Sequence, residues 1–508
     1  MIDKKKENLE KRVNQHIDRI YKGILNVDEL TQLTDSILSK IIDSQNQLPE
    51  HITQEGEPWS ESTMVLITYA DTIKDKNNLP INTIDNFLHD HAKDFFEIVH
   101  VLPFFPSSSD TGFSVMDYYT IYHKFGQWND IVKISKDFGV MADVVINHGS
   151  SKGKWFNNFI KGKGKGHDYF LNFDEKFDVS KVVRPRTSDL LNSFDTDAGE
   201  KFVWCTFSRD QVDYNFSKPV VLYEFIEIII FYLSKGITIF RFDAVAFIWK
   251  KIGTRCINLD KTHEIVRLFR TLLTYLSPKA ILVTETNTPA RENVSYFGNA
   301  NEAHWIYNFS LPPILIYSIL SGDSSYLEKL TMSMPPSQQG TSYLNFIASH
   351  DGVGLRPAES FLSKDEIERF VEQMENNGGK VSYRSNNTDT PEPYEINITL
   401  FDAMRESFNK EVNLRVERFI CIHAIMLSLE GVPAFYIHSL FGTQNDELSV
   451  IRGSMGTIIE SHLENSLVKK IKLLPIELRR PSILRASAHT FEYLYLGFLF
   501  LFALYMVD

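Results

Sequence analysis

Cysteine is scarce: three in 508 residues, at Cys205, Cys256 and Cys421. Three scattered thiols cannot build a disulfide framework or a zinc cluster, so buried, reduced thiols are expected. An excess of positive charge is also missing. Lys and Arg total 53 against 65 Asp and Glu, a formal net charge of −12. That balance argues against a general nucleic-acid binder, because neutralising phosphates needs a basic face. The N-terminal MIDKKKENLEKR carries charges with no apolar run behind them. It is therefore not a secretory signal, and a cytoplasmic protein is expected. Apolar runs long enough for a membrane are absent too. The uncharged stretch YLYLGFLFLFALYMV occupies 493–507, short of the roughly 20 residues that span a bilayer as a helix. Its aromatic density reads as strands of a C-terminal β-module, with a tail anchor as the alternative. Hydrophobic residues make up 43% and charged residues 23%. That is globular composition, neither disordered nor fibrous, in a chain long enough to bury a large core.

Residues 1–60 are polar, with apolar residues at helical spacing in NVDELTQLTDSILSKIID, and read as an N-terminal helical arm. From about residue 63 short apolar, β-branched runs recur: 63–71, 96–105, 140–148, 236–245, 280–287, 305–310, 342–351 and 431–442. Helical segments at 223–236, 262–278 and 416–431 separate several of them. Eight such runs, apolar on both faces, predict a closed parallel (β/α)8 TIM barrel over 61–445. The stretch 149–222 is too long for a loop and reads as a subdomain inserted after the third strand. A second polar insertion is expected at 364–408. Residues 446–508 form a short C-terminal region, an incomplete β-domain.

Chemistry in such a barrel sits at the C-terminal ends of the strands. The polar residues there are Asp71, Asp143, Asn147, His148, Arg241, Asp243, Glu285, His350 and Asp351. A single Asp could be a helix cap; several acids together with Arg and His fit glycosyl transfer better. One carboxylate attacks the anomeric carbon, and a second carboxyl protonates the leaving oxygen and later acts as base. Arg241 stands two residues before Asp243 on a strand, hence on the same face. An Arg there should keep the nucleophile's pKa low while the acid's is raised. His148 is either a sugar contact or a core histidine bonded to backbone.

DVVINH (143–148), FRFDAVAF (240–247), TET (284–286) and ASHDG (348–352) resemble the four signature regions of the α-amylase superfamily of glycoside hydrolases. LPFFPSSSDTGFSVMDYY (102–119), VVRPRTSDLL (182–191), VDYNF (212–216), PYEIN (393–397) and GVPAFYI (431–437) are similar to its phosphorylase branch, which holds sucrose and glucosylglycerate phosphorylases. The resemblance covers roughly 60–445. It implies Asp243 as nucleophile, Glu285 as acid/base and Asp351 as transition-state stabiliser. It implies that Arg241 and His350 contact the nucleophile and glucosyl hydroxyls, and that Asp71 and Phe105 belong to segments shaping the glucosyl subsite. It also implies no metal and no organic cofactor. The expected substrates are an α-glucoside and inorganic phosphate, and the expected product is α-glucose 1-phosphate with retained configuration.

Phosphate beside carboxylates needs local cations, and Arg suits an oxyanion through its bidentate geometry. Arg184 and Arg186 are the candidates, with solvated loop arginines as the alternative; Arg356 is a weaker one. After GTQND (442–446) the resemblance fades. The branch's usual Arg-containing segment is not found, and Arg452 is the one arginine in 447–467. A hydrolase or transglucosidase on the same barrel, or a non-catalytic sugar-binding protein, are the competing readings.

Overall fold

The computed structural model describes residues 2–186, 188–384 and 392–445. The C-terminal region expected at 446–508, with Arg452 and the apolar 493–507, lies outside the described residues.

Eight parallel strands close into a barrel. They are β1 (Val65–Thr68), β2 (Ile98–Val101), β3 (Gly139–Val145) and β4 (Ile237–Asp243), followed by β5 (Ile281–Thr284), β6 (Trp305–Tyr307), β7 (Ser342–Asn345) and β8 (Val432–Tyr436). Each falls inside one of the eight apolar runs, save that β3 begins one residue earlier, at Gly139. β1 pairs with both β2 and β8, which closes the ring. Nearly every strand residue is buried, as a sheet covered on both faces requires. The helices at 219–234, 260–276 and 415–428 lie where helical periodicity places them, within a few residues.

The arm forms two helices, α1 (Ile2–Tyr21) and α2 (Val27–Gln45), with Asn26 and Glu29 making a capping box on α2. The arm is held to the barrel by charge as well as apolar packing. His16 of α1 donates to Glu264 at 2.6 Å, and Lys40 of α2 pairs with Glu227 at 2.7 Å.

The insertion after β3 holds a strand at His148–Ser150 paired with Gln211–Asp213, and a three-stranded sheet of 172–173, 191–196 and 199–204. Its Leu190, Leu191 and Trp204 form a small core completed by Cys256 from the segment after β4. The helix at Pro219–Ser234 takes the last residues of the expected 149–222, because Pro219 at its first turn suits a helix start. The second insertion contains the helix Lys364–Asn376 and a hairpin of Lys380–Arg384 with Glu392–Asn397, which also pairs with Val353–Gly354. Cys205, Cys256 and Cys421 are free thiols.

Candidate active site

Parallel register builds the centre of the site. Asp143 on β3 stands opposite Arg241 on β4, and Val145 opposite Asp243. Arg241 Nη1 donates to Asp143 Oδ1 at 2.5 Å and to Asp243 Oδ1 at 2.8 Å. His100 Nε2 on β2 donates to Asp143 Oδ2 at 2.8 Å. All four residues are buried. Burial alone would raise the Asp143 carboxyl; Arg241 and His100 outweigh it and hold it down to about 2. Asp143 is thus the fixed counter-charge that seats the guanidinium. The Arg241 guanidinium also lies 5.7 Å from the Phe113 ring centroid and 5.4 Å from that of Tyr307.

Glu285 follows β5. The backbone N–H of Ala244, the residue after Asp243, donates to Glu285 Oε2 at 2.8 Å. Ala244 has φ 51°, a left-handed conformation that costs a non-glycine residue about 1–2 kcal/mol. The bend at the strand end turns the amide toward Glu285. Burial raises both the Asp243 and the Glu285 carboxyl and Arg241 opposes the rise at each; the charges of Glu285 and Asp143 add to it at Asp243, those of Asp351 and Asp143 at Glu285. The low nucleophile pKa expected from Arg241 alone is therefore not found, because complete burial outweighs a single guanidinium shared with Asp143.

Asp351 and His350 end the β7 segment. His350 Nε2 sits 3.4 Å from Asp351 Oδ2. Its ring stacks on Phe113 at 5.0 Å and meets Tyr69 edge-on at 5.9 Å. The Asp351 carboxylate is half exposed and lines a cavity of about 830 Å³ together with Tyr69, Asp71, Phe105 and His350. Asp243 and Glu285 do not line that cavity; the charge of Asp351 is felt at Glu285. Asp71 is 3.8 Å from Lys74. Phe105 is a core ring, stacked on Tyr232 at 5.4 Å. His148 is buried, with Nε2 3.1 Å from the Phe113 carbonyl.

On the side of Glu285, two loops and the hairpin form a basic rim. The Arg186 guanidinium lies 5.7 Å from the Tyr394 ring centroid. Arg184 has Nε and Nη2 buried with no partner among the described residues. Arg356 is half-buried and also makes no hydrogen bond or ion pair with them, although the backbone beside it is anchored by Leu355 N–H donating to Tyr394 O at 3.0 Å. Tyr394 is within electrostatic reach of Glu285, Arg186 and Arg356. Beside it, burial pushes the Glu395 carboxyl up to about 7, with repulsion from Asp351 adding and Arg186 opposing.

Sequence reasoning singled out Asp143, Arg241, Asp243, Glu285, His350 and Asp351, and the barrel brings them together. It missed His100, Phe113, Tyr307, Tyr394 and Glu395. A lone histidine inside the apolar strand IVHV was a signal, since a buried imidazole needs a partner. It also missed Lys250, whose ammonium reaches Asp213 and Asn147 at 2.7 Å each and ties the insertion to the end of β3. Among the described residues no group of three or more His, Cys, Asp or Glu could hold a metal ion, and no helix is long and apolar enough to cross a membrane.

The geometry is that of a barrel enzyme acting with carboxyl groups, and comparison with known proteins agrees. The family model described as Alpha amylase, catalytic domain, matches residues 95–352. A glucosylglycerate phosphorylase of Spirochaeta thermophila is 42% identical over 405 residues, 79% of this chain and 68% of that protein. One from Escherichia coli is 39% identical over 447 residues, 87% of this chain and 78% of that one. A sucrose 6(F)-phosphate phosphorylase of Thermoanaerobacterium thermosaccharolyticum is 26% identical over 436 residues, 80% and 84% of the two chains. The crystal structure of sucrose 6F-phosphate phosphorylase from Thermoanaerobacter thermosaccharolyticum shares the fold, with a TM-score of 0.69 at 23% identity over 88% of this chain and 86% of that one. The chain belongs to the α-amylase family, among its disaccharide phosphorylases.

Proposed function

We propose that the chain phosphorolyses an α-glucoside of the glucosylglycerate type, giving α-glucose 1-phosphate and glycerate. In this reading Asp243 attacks the anomeric carbon while Glu285 gives its proton to the departing glycerate oxygen. The anomeric C–O bond breaks and an ester to Asp243 forms with inverted configuration. Phosphate then attacks the same carbon, its proton passes to Glu285, and the ester breaks. Two inversions return the α configuration.

The raised carboxyls support a pair that carries one proton between them. Arg241 contacts Asp243 and not Glu285, so the proton belongs on Glu285, where an acid is needed. Asp351 and His350 then stand toward the glucosyl ring, with Asp71 and Phe105 further along the cavity and His148 behind Phe113.

The observation that carries the phosphorylase reading is Arg184, whose Nε and Nη2 are buried without a hydrogen-bond partner among the described residues, two residues before Arg186. Two buried guanidinium N–H groups without an acceptor are costly unless a ligand accepts from them. A carboxylate on the leaving group and a phosphate on the incoming one are both planar-fork partners for Arg. Arg186 and Arg356, which make no close ion pair among the described residues, add positive charge around Tyr394. Water needs no such rim, which disfavours a hydrolase.

The test is product analysis of purified protein with a glucosylglycerate donor, with and without phosphate. Phosphate-dependent α-glucose 1-phosphate supports the reading. Free glucose at the same rate in both samples would assign a hydrolase.

A further inference from the structure

The hairpin-like loop after β2, closed by the antiparallel bridge of Ser107 with Val115, ends in a turn with three consecutive left-handed residues: Asp110 (φ 56°), Thr111 (φ 49°) and Gly112 (φ 108°). The glycine is required, since a Cβ at 112 would meet the Pro103 carbonyl at 2.7 Å. Asp110 and Thr111 have no such freedom, and each is held against its own preference. The turn delivers Phe113, whose ring lies parallel to His350 and faces the Arg241 guanidinium.

What opposes the strain comes from the insertion. Asp210 accepts from Ser108 Oγ at 2.6 Å and Ser109 Oγ at 2.5 Å, both in the hairpin, and from Ser151 Oγ at 2.7 Å beyond the end of β3. Burial would raise this carboxyl, yet the serine hydroxyls keep it below its ordinary value, so it is an anion near neutral pH. Its neighbour Gln211 donates from Nε2 to Asp110 Oδ2 at 2.6 Å, and the same nitrogen lies 3.1 Å from His148 Nε2. Two adjacent residues thus fix both sides of the strained turn to the strand-end that carries His148.

We propose that Asp210 and Gln211 are positioning residues for the glucosyl site. They latch the left-handed turn and so hold Phe113 as a rigid platform against His350, beneath Arg241. Neither touches the reacting atoms; both act through Phe113. The inference rests on the phosphorylase reading for its assay, and wild-type protein in the same assay separates the two. If wild type forms no α-glucose 1-phosphate, the functional reading has failed, not the latch.

The experiment measures donor kcat/KM, the partition of glucosyl-enzyme between phosphate and water, and the thermal midpoint. Asp210→Ala is expected to lose about tenfold to a hundredfold in donor kcat/KM, the scale on which a misplacement of about 1 Å acts. The phosphate-to-water partition should not change, because the acceptor rim lies on other loops. Adding Thr111→Gly to Asp210→Ala should restore most of the loss, since glycine adopts the left-handed turn without the latch. Should Asp210→Ala fail to fold, Asp210→Asn, which keeps one accepting oxygen, replaces it in the same comparison. Undiminished activity in the single variant overturns the proposal. So does loss of activity that Thr111→Gly does not relieve, or a loss that shifts the partition as well.

Discussion

The two sides of the site treat charge in opposite ways. Around Asp243 the protein pairs its own charges: Arg241 bridges Asp143 and Asp243, and His100 closes the chain from the next strand, although Arg241 Nε and His100 Nδ1 keep no hydrogen-bond partner among the described residues. Around Tyr394 it does not. Arg184 keeps two buried nitrogens without acceptors, and Arg186 and Arg356 make no close ion pair among the described residues, although Glu395 lies within electrostatic reach of Arg186, and Glu292 and Glu359 of Arg356. Other arginines show that this is no general shortage of acids. Arg384 is paired with Glu359 and Glu392, and Arg267 with Glu264 and Glu302. On the proposed reading, charge near the bond to be broken is fixed in advance, whereas charge at the acceptor rim is left for a ligand to complete. The first suits a nucleophile that must not move; the second suits anions that must enter and leave.

The largest expected effect comes from breaking the fixed side. Asp243→Asn removes the attacking oxygen's charge and is expected to abolish α-glucose 1-phosphate formation in a steady-state assay. A near-normal rate would sink the assignment. Asp143→Asn leaves Arg241 short of one counter-charge. Breaking a buried ion pair costs about 3–5 kcal/mol, so a clear fall in the urea midpoint is expected along with lost activity. An unchanged midpoint would mean that Asp143 is not the seat of the guanidinium.

On the open side the effects should be smaller and confined to anions. Arg184→Ala or Arg186→Ala is expected to raise the KM for phosphate about tenfold, the worth of roughly one charge-assisted hydrogen bond. Hydrolysis of a neutral donor such as glucosylglycerol in the absence of phosphate should stay within about twofold. If both activities fall together, the rim is structural.

The smallest effect is a pH dependence. The Glu395 carboxyl, raised to about 7 by burial, ionises as pH passes through that value and adds a negative charge beside Asp351. The KM for phosphate should therefore rise with pH through about 7 in wild type and rise less in Glu395→Gln. Stability carries the same sign. Between the ordinary glutamate value and about 7 the folded state binds more protons than the unfolded one, so this residue's contribution falls as pH rises. A Glu395→Gln variant with the wild-type pH profiles would refute this.

Much of the barrel was legible because its code is local. A strand buried on both faces must be an apolar run, and the eight runs marked all eight strands. Asp143, Arg241, Asp243, Glu285 and Asp351 were legible because strand ends place function and because two residues' spacing shares a face. What joins distant segments was not. Nothing near His16 announces Glu264, nothing near Lys250 announces Asp213, and Asp210 gives no hint of serines about a hundred residues earlier. These are meetings fixed by the closed ring rather than by spacing. The raised Asp243 carboxyl was misjudged for a related reason: its pKa depends on how completely the site excludes water, which no motif states.

The most direct measurement compares two donors that differ by one charge. With phosphate in excess, initial rates of α-glucose 1-phosphate formation are taken with glucosylglycerate and with glucosylglycerol, for wild type and for Arg184→Ala. The account predicts that wild type prefers the anionic donor and that the variant loses most of that preference. Equal kcat/KM for both donors in wild type, or a preference that survives the substitution, would contradict it.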